Sequence, residues 1–206
     1  MTTWQDQPMP RSEQANQQIR DERRRQILNV AAEIFARKGL AEARISDIAA
    51  ASGISQGLIY RYFASKEELL RAVIANALDQ VLTGLQELRE QPGTPWEKLY
   101  RLTAYMWEGM RRRPAYVHVV LHTLISEAVP EEIRALARRY VRESYTFFRE
   151  LIVEGQQAGQ VVLADPEELT LLYGSLLQGL ATGAWFMDDY SEVQPSIERM
   201  LRILKP

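Results

Sequence analysis

The sequence predicts an all-α protein of 206 residues, with a three-helix head followed by a six-helix body. Three observations lead there. Apolar residues recur at i, i+3, i+4 spacing along most of the chain, and no stretch carries the two-residue alternation of a strand. Helix starts are written as capping boxes in Ser65-Lys66-Glu67-Glu68, Thr94-Pro95-Trp96-Glu97 and Asp165-Pro166-Glu167-Glu168, the last two with proline at the first helical position. Punctuating residues such as Pro92-Gly93, Pro114, Pro130 and Pro195 fall between the periodic stretches and not inside them.

In chain order, residues 1 to about 18, with Pro8, Pro10 and a run of Gln, Ser and Asn, have little to bury and read as a flexible tail. Trp4 has no role in that reading. A first helix follows from Arg20, with Ile27, Ala31, Ile34 and Phe35 on one face and Gly39 placed to stop it. The arginines at its start, Arg20, Arg23, Arg24 and Arg25, oppose the helix dipole; a solvated face and a phosphate contact both account for them. Ile45, Ile48 and Ala49 make a short second helix that ends at Gly53, where a positive φ costs nothing. Ser55 is placed to cap a third helix whose Ile59 and Phe63 face the core. Its other face presents Gln56, Gly57, Tyr60 and Arg61, with Leu58 and Tyr62 at the edges. The helix from Ser65 carries Leu70, Ile74, Ala77, Val81, Leu85 and Leu88 to about Glu90, a length of about 36 Å. Helices near 95–112, 115–127, 131–157 and 166–187 and a last one after Pro195 complete the body.

The third helix suits a DNA groove. Arginine bonds a guanine edge or a phosphate, glutamine an adenine edge, and tyrosine hydroxyls phosphate oxygens, while Leu58 fits a thymine methyl. Gly57 costs a helix about 1 kcal/mol relative to alanine, which a close approach of backbone to a ligand would explain. Two amphipathic helices joined at a glycine corner also fit a plain surface hairpin.

Composition narrows the classes. The first 70 residues hold ten basic against nine acidic side chains and the rest 15 against 18, so any positive field must come from placement. There is no cysteine, which removes disulfides, thiol redox chemistry and cysteine zinc sites. No apolar run reaches the roughly 18 residues of a membrane span and Met1 to Pro10 lack a signal-peptide core, so a cytoplasmic protein is expected.

The stretch Ile48-Ala49, Gly53-Ile54-Ser55-Gln56-Gly57-Leu58-Ile59-Tyr60-Arg61-Tyr62-Phe63 and Lys66-Glu67-Glu68-Leu69-Leu70 closely resembles the DNA-binding signature of TetR-family transcriptional regulators. The motif resemblance covers about residues 20–70; beyond it only length and helical rhythm match. It implies a helix-turn-helix DNA-binding domain over 19–64 and a ligand-binding and dimerisation domain over 65–206. It puts Gln56, Gly57, Leu58, Tyr60, Arg61 and Tyr62 on DNA-contact positions and Lys66 on a phosphate. Family members carry Thr or Ser where Arg44 stands, so Ser46 is the alternative cap for the second helix and Arg44 a further phosphate contact.

The middle helices are rich in aromatic residues and methionine. Most of these fill a core, and the resemblance implies a small-molecule cavity among them, with Tyr105, Met110, His118, His122, Tyr145 and Phe148 as candidate lining. His118 and His122 have chelating i, i+4 spacing, but no acidic ligand lies near and Val119-Val120-Leu121 lacks the glutamate of a zinc hydrolase. No metal site, cofactor or catalytic constellation is assigned, and an enzyme is not expected. Arg111-Arg112-Arg113 closes a helix, where cations complement the dipole. Ser175, Gly179 and Gly183 form a small-residue stripe flanked by Leu172 and Leu176. The resemblance makes it a homodimer interface; packing within one chain is the other account. Together these imply a transcriptional repressor released from a two-fold operator by an effector, or a DNA-binding regulator without one.

Overall fold

The computed structural model describes residues 13–186 and 195–206. Its described residues form helices α1 (Glu13–Glu42), α2 (Ile45–Ser52), α3 (Gln56–Tyr60), α4 (Lys66–Glu90), α5 (Pro95–Arg112), α6 (Pro114–Ile125), α7 (Glu131–Gln157), α8 (Pro166–Phe186) and α9 (Ile197–Met200), closed by a 3-10 turn over Leu201–Leu204, and no strand. The all-α class, the three-helix head and the six-helix body are as the periodicity predicts. Trp4 lies outside the described residues.

Helix starts follow local chemistry. The Ser55 hydroxyl accepts from Leu58 N at 3.2 Å and the Ser65 hydroxyl from Glu68 N at 3.1 Å. Glu68 reaches back one residue further than a capping box requires and accepts from Ala64 N at 2.6 Å. The box at Thr94 and Glu97 is complete. Asp165 accepts from Glu167 N at 2.9 Å.

Three sequence expectations are corrected. The tail expected to reach residue 18 is already helical from Glu13. Residues 16–22 are exposed, and Gln, Arg and Glu are good helix formers that need no apolar stripe to continue a helix anchored further on. Neither Arg44 nor Ser46 caps α2: Arg44 occupies the cap position without a side-chain bond, and Ser46 lies inside the helix. At Gly39 the chain turns (φ 68°) and runs on to Glu42 beyond the expected stop.

α1 packs against α2 in the head and against α4 and α6 of the body, while α4 packs on α7, and α7 on α5 and α8. One apolar core therefore runs from the head (Ile27, Phe35, Ile48, Ile59, Phe63) through Leu69, Val73 and Ile74 of α4 to Val119 and Val120 of α6. A second holds Leu99 and Leu102 of α5, Phe148 and Ile152 of α7, Tyr173 and Leu177 of α8, and the C-terminal Met200, Leu201 and Leu204. No helix among the described residues is long and apolar enough to cross a membrane.

Candidate nucleic-acid interface and effector cavity

α3 is short, and its orientation is set by two buried anchors, Ile59 and Phe63, which are 0% and 2% exposed. Gly53 (φ 66°, ψ 31°) makes the corner before it, and the Ile54 amide closes back on Ala49 O at 3.0 Å. The remaining residues point outward: Gln56, Gly57, Tyr60 and Arg61 are exposed and Leu58 and Tyr62 half-buried. No described side chain bonds Gln56, Tyr60 or Arg61. A Cβ built on Gly57 would meet only the Ser55 hydroxyl, at 4.0 Å, so nothing among the described residues demands glycine there.

The head is braced from behind. Lys38 of α1 bonds Asp47 of α2 at 2.8 Å, and this bond holds the Asp47 carboxyl below the usual range. Gln26 donates to Ser52 O at 3.3 Å. The Arg24 guanidinium lies 5.4 Å over the Phe63 ring, so one arginine of the first-helix cluster covers the head core. Lys66, expected on a phosphate, donates to Ala41 O at 3.3 Å and Ala43 O at 3.0 Å. Two of its three protons tie α4 to the corner between α1 and α2. Arg44 stays exposed.

In the body, two chambers lie between α4, α5, α6, α7 and α8. The inner one, about 90 Å3, is lined by Met106, Met110, Val120, Val141, Phe148 and Leu177 among others. The outer one, about 410 Å3, takes in Ala77, Gln80 and Leu85 of α4 with Tyr105, Arg113 and Tyr116. Met106, Met110, Val117, Tyr140 and Ser144 line both. Tyr173 stacks on Phe148 with ring centroids 3.9 Å apart and donates to the Thr103 hydroxyl at 2.5 Å. Burial pushes the Tyr140 hydroxyl up to about 12, so it stays protonated, a donor and not an anion.

Of the candidate lining residues, Met110, Tyr145 and Phe148 reach the inner chamber and Tyr105 and Met110 the outer. His118 and His122 line neither. His118 turns toward the end of α8, with its ring 4.4 Å from Trp185, and burial holds its imidazole below the usual range. His122 packs on the kink of α1: a Cβ on Gly39 would lie 2.6 Å from its ring. No group of three metal-ligating side chains forms among the described residues. The sequence reading also missed two notches. The Tyr105 hydroxyl sits where a Cβ on Gly84 would be and donates to Gln80 O at 3.0 Å, and the Tyr145 hydroxyl fills the same position at Gly174. Only the fold pairs those residues.

The α8 stripe lies open. Leu171 and Leu172 are 61% and 51% exposed, Ser175 is exposed, and Leu176 packs partly on the second core. A Cβ on Gly179 or Gly183 would meet nothing within 4 Å. The packing account within one chain is thereby removed for both glycines among the described residues.

Comparison with known proteins places this architecture. Residues 27–73 match the model of bacterial regulatory proteins of the tetR family, and residues 92–189 that of the tetracyclin repressor-like C-terminal domain. The fatty acid metabolism regulator protein of Bacillus subtilis is 32% identical over 166 residues, 80% of this chain and 84% of that protein. A transcriptional regulator from Saccharomonospora viridis, solved in complex with choline, superposes with a TM-score of 0.69 at 23% identity, over 88% of this chain and 93% of its own. The regulator FadR from Bacillus subtilis, solved in complex with stearoyl-CoA, superposes with a TM-score of 0.65 at 20% identity, over 87% and 94%.

Proposed function

Because this chain belongs to the TetR family of transcriptional regulators, we propose that it is a repressor: a homodimer that binds a two-fold operator through α3 and releases it when a small molecule enters the body. The observation that carries the reading is the outward face of α3, where the exposed side chains of Gln56, Tyr60 and Arg61 have no partner among the described residues while Ile59 and Phe63 fix the helix from behind. Arg61 and Gln56 supply base-edge chemistry, and Tyr60 and Tyr62 supply phosphate donors. Arg44 and the remaining proton of Lys66 lie at the flanks.

Dimerisation supplies the second half-site. The open stripe of Leu172, Ser175, Gly179 and Gly183 admits a partner helix at close range, and a two-fold pair of heads reads half-sites about 34 Å apart. Ligand release draws support from the cavity and from the choline and stearoyl-CoA held by the two solved relatives. An effector frees DNA only by its difference in affinity between the two head spacings. The outer chamber includes Ala77, Gln80, Val81 and Leu85 of α4, whose first residue is bonded to the head.

The test is selection of binding sites from a random DNA pool with the full chain. Sites of two-fold symmetry are expected. Arg61→Ala should weaken binding to them by about 1–3 kcal/mol if it contacts a base, and Tyr60→Phe should weaken it less, both without loss of fold. Ile59→Ala is the contrast and should destabilise the head by about 2–5 kcal/mol. Unchanged DNA affinity in both surface variants would remove α3 from the interface.

A further inference from the structure

We infer that the body takes a linear amphiphile with an anionic head, the head held at Arg113 and the aliphatic chain running past Val117 into the inner chamber. This deepens the effector reading above and rests on it.

Continuity comes first. The two chambers share Met106, Met110, Val117, Tyr140 and Ser144, so one elongated molecule can occupy both. Polarity then runs one way along that path. No charged residue lines the inner chamber. Three of its hydroxyls are already committed: Ser144 donates to Tyr140 O at 3.0 Å, Thr170 to Pro166 O at 2.6 Å and Tyr173 to Thr103. Beside the Tyr140 and Tyr145 hydroxyls and the Gln178 amide, the rest of the lining is apolar, with Val120, Leu121, Val141, Phe148 and Leu177 forming a surface that gains by covering methylenes and carries no charge to hold an ionic head.

The outer chamber carries three charged residues, Glu108, Arg112 and Arg113. The Glu108 carboxylate is already bonded to Arg112 at 2.6 Å and lies 3.7 Å from Arg111. Arg113 is different: its guanidinium donates to the amide oxygen of Gln80 and has no carboxylate partner among the described residues. An amide aims the guanidinium without neutralising it. A cation at the mouth of an apolar chamber therefore lacks its counter-charge, and an anionic head supplies it in the forked geometry that arginine favours. A quaternary ammonium head would instead meet two guanidiniums and a carboxylate that is already engaged.

Free fatty acids and their coenzyme A thioesters share this chemistry, and the test separates them. Isothermal titration of the full chain would use octanoate, decanoate, dodecanoate, dodecanoyl-CoA, dodecanol and dodecyltrimethylammonium, all below their micellar range. Affinity for the carboxylates should rise roughly fourfold per methylene added. Dodecanol and the ammonium compound should bind at least tenfold more weakly than the better of the two anionic forms, and whichever of these binds more tightly identifies the source. Arg113→Gln should weaken that anion roughly tenfold or more, and Arg113→Lys should restore most of the loss, which separates charge from folding. Val117→Trp, at the junction of the chambers, should erase the chain-length dependence.

Equal affinity for the neutral, cationic and anionic compounds would overturn the anionic head, as would an unaffected Arg113→Gln, and both leave the effector reading standing. Absence of binding by every compound would overturn the amphiphile itself. Binding of dodecanoate or its thioester without release of the selected DNA would support the ligand class and overturn the effector reading instead.

Discussion

Replacing Gly179 by leucine separates the fold of one subunit from the assembly of two. Within the chain the change should be harmless. A Cβ at this position meets nothing within 4 Å, and a glycine in a helix interior is about 0.8–1 kcal/mol worse than alanine in helix propensity, with leucine ranked close behind alanine. The isolated subunit is therefore expected to hold or slightly gain stability. Across a two-fold interface the balance reverses, because each subunit drives one new side chain into the groove that its partner's helix must enter. Overpacking a fitted interface costs about 1–3 kcal/mol per site, so two copies cost about 2–6 kcal/mol. At about 1.4 kcal/mol per decade, the dimer dissociation constant should rise by roughly 30-fold to roughly 10⁴-fold. Sedimentation velocity over a concentration series measures that constant, and far-ultraviolet circular dichroism with a urea titration confirms that the subunit is intact. A well-folded variant whose dimer is as tight as wild type would show that α8 meets its partner elsewhere, or not at all. Loss of fold in the monomer would refute the reading that no described residue fills the groove.

Two further changes probe the coupling and the buried histidine. Ser65→Ala removes the bond to Glu68 N and should cost about 0.5–2 kcal/mol at the start of α4; with selected DNA and dodecanoate as the probes, weaker DNA binding and a smaller ligand-induced loss are expected, with ligand affinity of the DNA-free protein unchanged. Equal coupling in variant and wild type would make the cap a local feature only. His118 has its pKa lowered by burial, so the unfolded chain takes up a proton that the native one resists as pH drops below about 6.5. Stability should fall as pH drops from the unfolded value toward the depressed folded value and level off below it. His118→Phe should flatten that slope between pH 7.5 and 5, read from urea midpoints; a slope that survives in the variant would assign it to another group.

The contrast between what was readable and what was not follows the range of the forces involved. Ser55, Ser65 and Thr94 cap their helices through bonds to residues three positions on, and such chemistry is visible in a short window of sequence. The outward face of α3 was equally legible, because Ile59 and Phe63 point one way and the helical period fixes the rest. Periodicity says which residues share a face but not which neighbour that face meets. His118 and His122 share one, yet they turn to Trp185 and to the kink at Gly39, away from both chambers. The notches at Gly84 and Gly174 needed the approach of helices twenty or more residues distant. Lys66 matched a phosphate position by motif, and only the folded corner brings two carbonyls within its reach. The early start of α1 leaves no apolar stripe in the sequence, because residues 16–22 are exposed.

The bonds from Lys66 to Ala41 and Ala43 have a geometric consequence. They weld the end of a rod to the block that carries α3, so the two swing together about whatever holds the rod's far end. α4 has 25 residues and is about 37 Å long. Its middle, at Ala77, Val81 and Leu85, forms a wall of the outer chamber. A tilt of about 5° about the Glu90 end moves the Lys66 end by about 3 Å along an arc, on a rod of that rise per residue. In a two-fold pair the heads would part or close by up to about 6 Å, against half-sites separated by about 34 Å. Hydrogen bonds to base edges tolerate only about 0.5 Å of stretch. A displacement of about 1–2 Å at the chamber wall, the share of that tilt reached at Val81 and Ala77, would therefore take both heads out of register with the groove.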